Sequence, residues 1–230
     1  MEHGFSWIGT IPGLRDLPSH SVTATLVALL VLALAWSARR ALAGAKDPLV
    51  PDGRPSSREL FEVITTFVNE MVEGMIGPHG RRYVPFLATI FTFILFANLI
   101  GLLPGFTPPT GNMSTTLGLG IVSFVAYNYH GFREHGLTYL KEFAGPVLWL
   151  APLMVVVELL SHVFRPISLA IRLFGNMFAD HLVLGIFTEL TKVLIPIAFY
   201  TLGAFVCVLQ AFVFTILSMV YIALAVGHGH

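Results

Sequence analysis

Six polar side chains recur every three or four residues in the second half of the chain: Glu158, Ser161, Arg165, Ser168, Arg172 and Asn176. At ~100° per residue they share one face of a helix. His181 falls about 180° round from Arg172 by the same arithmetic, so the helix carries a polar stripe on one side and a histidine on the other. The intervening residues are mostly Leu, Ile, Val, Phe and Ala. At membrane depth an Arg or Asp costs about 2.5–3.5 kcal/mol on insertion scales. A helix with several such groups needs a partner surface or water against its polar face. For Glu158 and Arg165, snorkelling to the interface is a sufficient alternative. Arg172 sits in the middle of the run, where an ionisable residue points to function.

The elements that carry this stripe are membrane helices. The chain has 230 residues, 55% hydrophobic and 11% charged, whereas soluble domains average about 25% charged. Mean hydropathy is +0.79, and several apolar stretches approach or exceed the roughly 18 residues that suggest a span. Net charge is zero, which gives no basis for nucleic-acid binding. The sequence lacks a phosphate-binding loop, a dinucleotide fingerprint and an H-E-x-x-H motif, so no cofactor or metal is expected. The His228-x-His230 pair has no further ligands nearby and reads as a tail. The lone Cys207 says nothing about redox compartment.

The expected layout is all-α and polytopic, one integral membrane domain over 1–230, with about five crossing helices and one interfacial helix. Residues 1–20 carry Glu2, Arg15 and Asp16, unlike a signal peptide, and form an outer segment before a retained first span over 21–38. Arg39, Arg40, Lys46, Arg54 and Arg58 follow it, which predicts a cytoplasmic flank and an outer N-terminus. Over 56–77, Leu60, Ile64, Phe67, Val68, Met71 and Met75 share one face. Ser56 and Glu59 fit a capping box, and an amphipathic helix lying in the interface is predicted. Its acidic face is either a partner surface or simply solvated. Arg81 and Arg82 mark a return at the cytoplasmic side, the span 83–103 ends at Pro104, Gly105, Pro108 and Pro109, and the span 114–130 comes back to His130, Arg133, His135 and Lys141. Two long runs, 146–191 and 195–226, break near Lys192 and Pro196. Both exceed one perpendicular crossing of a ~30 Å core, so a tilted hairpin is expected, with the C-terminus inside.

The run Ser168-Leu-Ala-Ile-Arg-Leu-Phe-Gly-Asn-Met-Phe-Ala-Asp-His181 resembles the signature of the a subunit of bacterial F-type ATP synthases. Leu209-Gln-Ala-Phe-Val-Phe214 resembles the motif on that family's last helix, and Asn98-Leu-Ile-Gly-Leu-Leu-Pro104 its third-helix motif. The resemblance covers nearly the whole chain in order. It implies a multi-pass protein of the bacterial inner membrane, not an enzyme alone, that works inside the whole ATP synthase complex. Its implied partners are a rotating ring of c subunits, the b subunits of the peripheral stalk and the lipid bilayer. It further implies two offset half-channels reaching a carboxylate on each c subunit, with Arg172 as the essential proton-translocation arginine. A guanidinium favours the ionised form of such a carboxylate and does not relay protons at working pH, so it blocks a direct leak. Lysine suits the task less because burial can neutralise it.

The resemblance also assigns the neighbours. Asn176 helps place the c-subunit carboxylate, Gln210 contacts and orients Arg172, and Asn98 and His181 line the outer half-channel. Glu158, about 21 Å along the helix from Arg172, belongs to the inner side. Ordinary interhelical hydrogen bonding is the plain alternative for Asn176, Gln210 and Asn98, and a satisfied core position is the alternative for His181. One position departs from the family pattern. Seven residues before Gln210 many members carry an ionisable partner for the residue at 181; here it is Gly203. Either water fills that gap or Asp180 substitutes. A proton-coupled secondary transporter is the alternative function; the absence of an internal repeat argues against it.

Overall fold

The computed structural model describes residues 17–44, 56–103, 105–136, 139, 151–190 and 194–227. Most of the outer N-terminal segment, Lys46, Arg54, Pro104, Lys141, the start of the first long run, Lys192, His228 and His230 lie outside the described residues. The described elements are helical: α1 (Ser19–Ala43), α2 (Ser57–Met75), a 3-10 turn (Pro78–Tyr83), α3 (Val84–Ile100), a 3-10 turn (Pro109–Gly111), α4 (Met113–His135), α5 (Ala151–Leu190) and α6 (Leu194–Val226). The chain is an all-α, polytopic protein.

Among the described residues, four helical stretches are long and apolar enough to cross a membrane: Ser19–Ala43, Pro78–Ile100, Pro152–Thr188 and Pro196–Val226. The helix α4 has 23 residues, about 35 Å at 1.5 Å per residue, so its length suffices but its composition is mixed. Its polarity is directed inward. Gly120, Ser123 and Tyr127 are buried, Ser123 Oγ donates to Ser218 Oγ of α6 at 2.8 Å, and Asn128 Oδ1 lies 3.0 Å from His162 Nε2 of α5. Polar groups satisfied between helices are compatible with an apolar surround. At Gly120 a Cβ would stand 2.6 Å from the Pro166 carbonyl oxygen of α5, so only glycine permits this close crossing.

The first span extends beyond the expected 21–38, and α1 carries Arg39 and Arg40 within its helix. Long basic side chains reach an interface from inside a helix end, so the charges do not stop it. Few α1 residues are buried, while Leu29, Leu32 and Trp36 are more than half exposed, as a lipid-facing helix requires. In α2, Ser56 caps the helix by accepting from the Glu59 N–H at 3.3 Å. The apolar stripe of α2 divides: Ile64, Val68 and Val72 are buried, whereas Leu60, Phe67 and Met75 are exposed. Part of the stripe packs on α1 and α3, and the rest remains an apolar outer strip.

α5 and α6 pack together, α5 also against α4, and α6 against α3 and α4. They contain 40 and 33 residues, about 60 and 50 Å of helix, so neither can cross a ~30 Å core upright. The core joins Leu87, Phe91 and Ile94 of α3 to Leu169 and Leu173 of α5 and Phe214, Met219 and Ile222 of α6. One end of the bundle is tied by ion pairs: Arg82 donates to Glu134 at 2.7 Å and Arg81 to Glu73 at 2.7 Å. Arg81 and Asn69, by donating to it, hold the Glu73 carboxyl below its ordinary range. The opposite end carries the turn Phe106–Asn112 and the start of α1, where His20 Nδ1 lies 3.3 Å from Asn112 Nδ2.

Candidate functional site on the long hairpin

Leu169, Ala170, Leu173 and Met177 are buried, and this spacing of three and four seats one face of α5 on the bundle. That seating leaves Arg172 exposed. It stands on an outer surface with Ile171, Phe178 and Leu182 of α5, each about half exposed. Phe205 and Leu209 of α6 are exposed as well. Among the described residues, no carboxylate lies within ion-pair distance of Arg172; the pairs engage Arg58, Arg81, Arg82 and Arg165. A guanidinium without a partner on an apolar face is suited to receive a carboxylate from another chain.

One turn along from Arg172, Asn176 Nδ2 donates to Gln210 Oε1 of α6 at 2.6 Å, which fixes the two long helices in register. Gln210 is 5% exposed, and its Nε2 has no hydrogen-bond partner among the described residues. The amide oxygen of Gln210 is thus engaged by Asn176, four residues along α5 from Arg172. Asn98 makes interhelical hydrogen bonds. It is fully buried, accepts from Thr110 Oγ1 at 2.7 Å, and its Nδ2 reaches the Cys207 carbonyl at 3.5 Å. Its amide ties α3 to α6 and to the Pro109–Gly111 turn, since buried amides must find partners.

His181 borders two spaces. A cavity of about 290 Å³ is lined by His20, Phe106, Asn112, Met177, Phe178 and His181. A pocket of about 10 Å³, lined by Leu102, Asp180, His181 and Gly203 among others, lies behind it. His181 fits there because position 101 is glycine: a Cβ at Gly101 would be 3.0 Å from His181 Nε2 and 2.9 Å from Met177 Cε. Among the described residues neither His181 Nε2 nor Asp180 Oδ2 has a hydrogen-bond partner, although both atoms are buried.

Towards the other end of the bundle, Arg165 Nη2 donates to Glu158 Oε1 at 3.5 Å, and its guanidinium lies 5.4 Å from the Tyr221 ring centre. The stripe therefore divides into an internally paired stretch, Glu158 with Arg165, and an outward-facing stretch, Arg172 with Asn176. Sequence reasoning missed His20, which lines the cavity from α1, and the buried group of His162, Asn128 and Tyr139. Periodicity along one helix could flag neither, because both are assembled across helices.

Fold and site together define a class: a multi-pass helical membrane protein whose two longest described helices form a hairpin with an arginine on its apolar outer face that has no ion-pair partner among the described residues. Comparison with known proteins makes the assignment specific. The family profile described as ATP synthase A chain matches residues 21–223. The chain is 44% identical to ATP synthase subunit a of Bdellovibrio bacteriovorus, over 98% of this chain and 99% of that protein. It is 44% identical to ATP synthase subunit a 1 of Syntrophotalea carbinolica, over 92% of this chain and 87% of the relative. For ATP synthase subunit a of Geotalea daltonii the identity is 45%, over 75% and 76%. The chain belongs to the ATP synthase A chain family.

Proposed function

We propose that this chain is the proton-translocating a subunit of a bacterial F-type ATP synthase, with the α5–α6 hairpin as the surface on which a ring of c subunits turns. The observation that carries the reading is the uncompensated Arg172 on the exposed hairpin face. A c-subunit carboxylate reaching Arg172 loses its proton, because the guanidinium favours the charged form. The same fixed charge separates the two half-channels, since protons cannot pass through it. The Asn176–Gln210 bond holds the helices around the arginine in register. On the outer side, the cavity bordered by His20 and His181 supplies protons. On the inner side, Glu158 and Arg165 line the exit. The clustering of Arg39, Arg40, Arg81, Arg82 and Arg133 toward one end of the bundle supports a cytoplasmic location for that end, with the N-terminus outside and the C-terminus inside. Each proton descending the membrane potential delivers about 2.3 kcal/mol per 100 mV, which drives rotation. The exposed strip of α2 and the outer face of α1 are available to lipid and to the b subunits of the peripheral stalk.

The test is purification from membranes in mild detergent. A ring-facing hairpin brings with it many copies of a small two-helix protein bearing a mid-membrane Asp or Glu. Ile171→Cys and Phe178→Cys, both outward positions, then form disulfides with cysteines placed on that protein's outer helix, and Cys207, being buried, stays silent. A chain that purifies alone and conducts protons alone in liposomes is a transporter, and the assignment fails.

A further inference from the structure

The basic end of the bundle holds a cavity that the proposed proton path does not use. α2 ends at Gly77, whose φ of 86° is a backbone conformation that glycine adopts without strain. The bend sends the chain into the 3-10 turn Pro78–Tyr83, which lays His79 and Arg82 beside the last turns of α4 and α6. Those two helix ends meet: His135 Nε2 of α4 lies 3.3 Å from the Val226 carbonyl oxygen of α6. Between the 3-10 turn and the helix ends is a space of about 650 Å³, within the ~300–1,000 Å³ typical of small-molecule sites. Its walls are of two kinds. Met75, Ile76, Ala223 and Val226 form an apolar side, while Arg82, Glu134 and His79 form a polar one. Arg82 Nη2 donates to Glu134 Oε2 at 2.7 Å. A guanidinium has more donors, and a carboxylate more acceptor sites, than that bond uses. Both side chains are partly exposed, so each has capacity for a second partner.

We infer that this cavity binds one phospholipid whose headgroup carries a primary ammonium, as in phosphatidylethanolamine. The inference requires that the helices cross a membrane and is independent of the c-ring reading. The lipid phosphate accepts from Arg82 and from a ring N–H of His79. The ammonium donates to Glu134, and the glycerol backbone with the first acyl methylenes covers the apolar side. Arg82, phosphate, ammonium and Glu134 then alternate in charge around a closed circuit, with the existing ion pair kept. Charge complementarity selects this headgroup. Among the described residues the walls carry Arg82 as fixed cation and Glu134 as fixed anion. A headgroup with negative charge alone sets that charge against Glu134, and a choline headgroup has no N–H to donate to it. A soluble phosphate ester leaves the apolar side in water, whereas a lipid buries it. The depth also fits. Helix ends of membrane spans meet the headgroups at the edge of the ~30 Å core, where tyrosine and basic side chains gather; Tyr83 and Arg82 both line this space. Basic pockets between transmembrane helices are known holders of lipid head groups.

The experiment uses the protein in the complex with which it purifies from membranes, reconstituted in phosphatidylcholine nanodiscs. The probe is a trace of phosphatidylethanolamine with a photoreactive group on its first acyl carbons. Illumination labels the peptides that contain Met75, Ile76, Ala223 and Val226. Unlabelled phosphatidylethanolamine displaces the probe at least about tenfold more effectively than phosphatidylglycerol, and soluble phosphoethanolamine does not displace it. Arg82→Gln and Glu134→Gln each weaken capture by about tenfold, the low side of what a hydrogen bond to a charged group contributes. The ion pair they remove is partly exposed, so the fold survives its loss. Ala223→Phe fills the apolar side with both charges intact and also abolishes capture. Absence of label at these peptides in the wild-type complex means that protein covers the cavity, and overturns the inference. Equal displacement by phosphatidylglycerol overturns it by making the amine irrelevant, and displacement by soluble phosphoethanolamine overturns it by making the cavity a soluble-ligand site. Undiminished capture in Glu134→Gln does the same. The wild-type arms decide the matter even where a variant fails to assemble, and none of these outcomes bears on Arg172.

Discussion

Removal of the Arg172 charge is the perturbation with the largest calculable consequence. Its guanidinium is exposed and has no ion-pair partner among the described residues, so its whole field acts on whatever docks against the hairpin. At about 4 Å and an effective dielectric of about 20, attraction to a carboxylate is about 4 kcal/mol. That energy corresponds to about a thousandfold shift in the carboxylate's ionisation, at 1.36 kcal/mol per pH unit. On the proposed reading, Arg172→Ala therefore leaves the c-subunit carboxylate protonated while it faces the subunit, and release into the inner side stops. The variant assembles normally, because Arg172 contributes nothing to the packed face formed by Leu169, Leu173 and Met177. Arg172→Lys retains charge but not the planar, permanently protonated group, and is also severely impaired. The assay is ATP-driven quenching of a pH-sensitive dye in inverted vesicles, with subunit content checked by blotting. Pumping near the wild-type rate in either variant refutes the reasoning.

Glu158 lies beside Arg165 at 3.5 Å, and on the proposed reading Glu158→Gln slows passive proton conductance without uncoupling; unchanged rates from about pH 6 to pH 9, a window spanning histidine and water-borne proton exchange, assign it a structural role. His181→Ala lowers flux several-fold in the same assay, with coupling intact under the proposed leak-blocking role of Arg172, and full speed in that variant returns the histidine to packing. Gly203→Glu looks harmless from sequence alone, but its Cβ would meet Leu102 Cδ2 at 3.0 Å and its carboxylate would crowd Asp180; flux falls, and Asp180→Gly in the same chain relieves it. Gly120→Val drives a side chain into the Pro166 carbonyl, 2.6 Å from the Cβ position, at a cost of about 1–3 kcal/mol or more, and is read as loss of the subunit from membranes.

What was legible in the sequence is the class of molecule and the helix that matters. Apolar length specifies membrane helices because the hydrocarbon core demands it. The spacing of Glu158, Arg165, Arg172 and Asn176 specifies their shared face because helix geometry is regular. Neither property depends on neighbouring helices. The remaining features are set by which helix packs on which. Gln210 bonds Asn176 because the hairpin's register is decided where α5 meets α6. Asn98 is a buried tie because Thr110 and Cys207 converge on it from two other elements. The stripe of α2 divides because the protein covers only part of it. His20 reaches the cavity of His181 only through the return of α1 to the Asn112 turn. Periodicity ranks positions around one helix axis; the partner each position meets is a contact between segments far apart in the chain, and only tertiary packing supplies it.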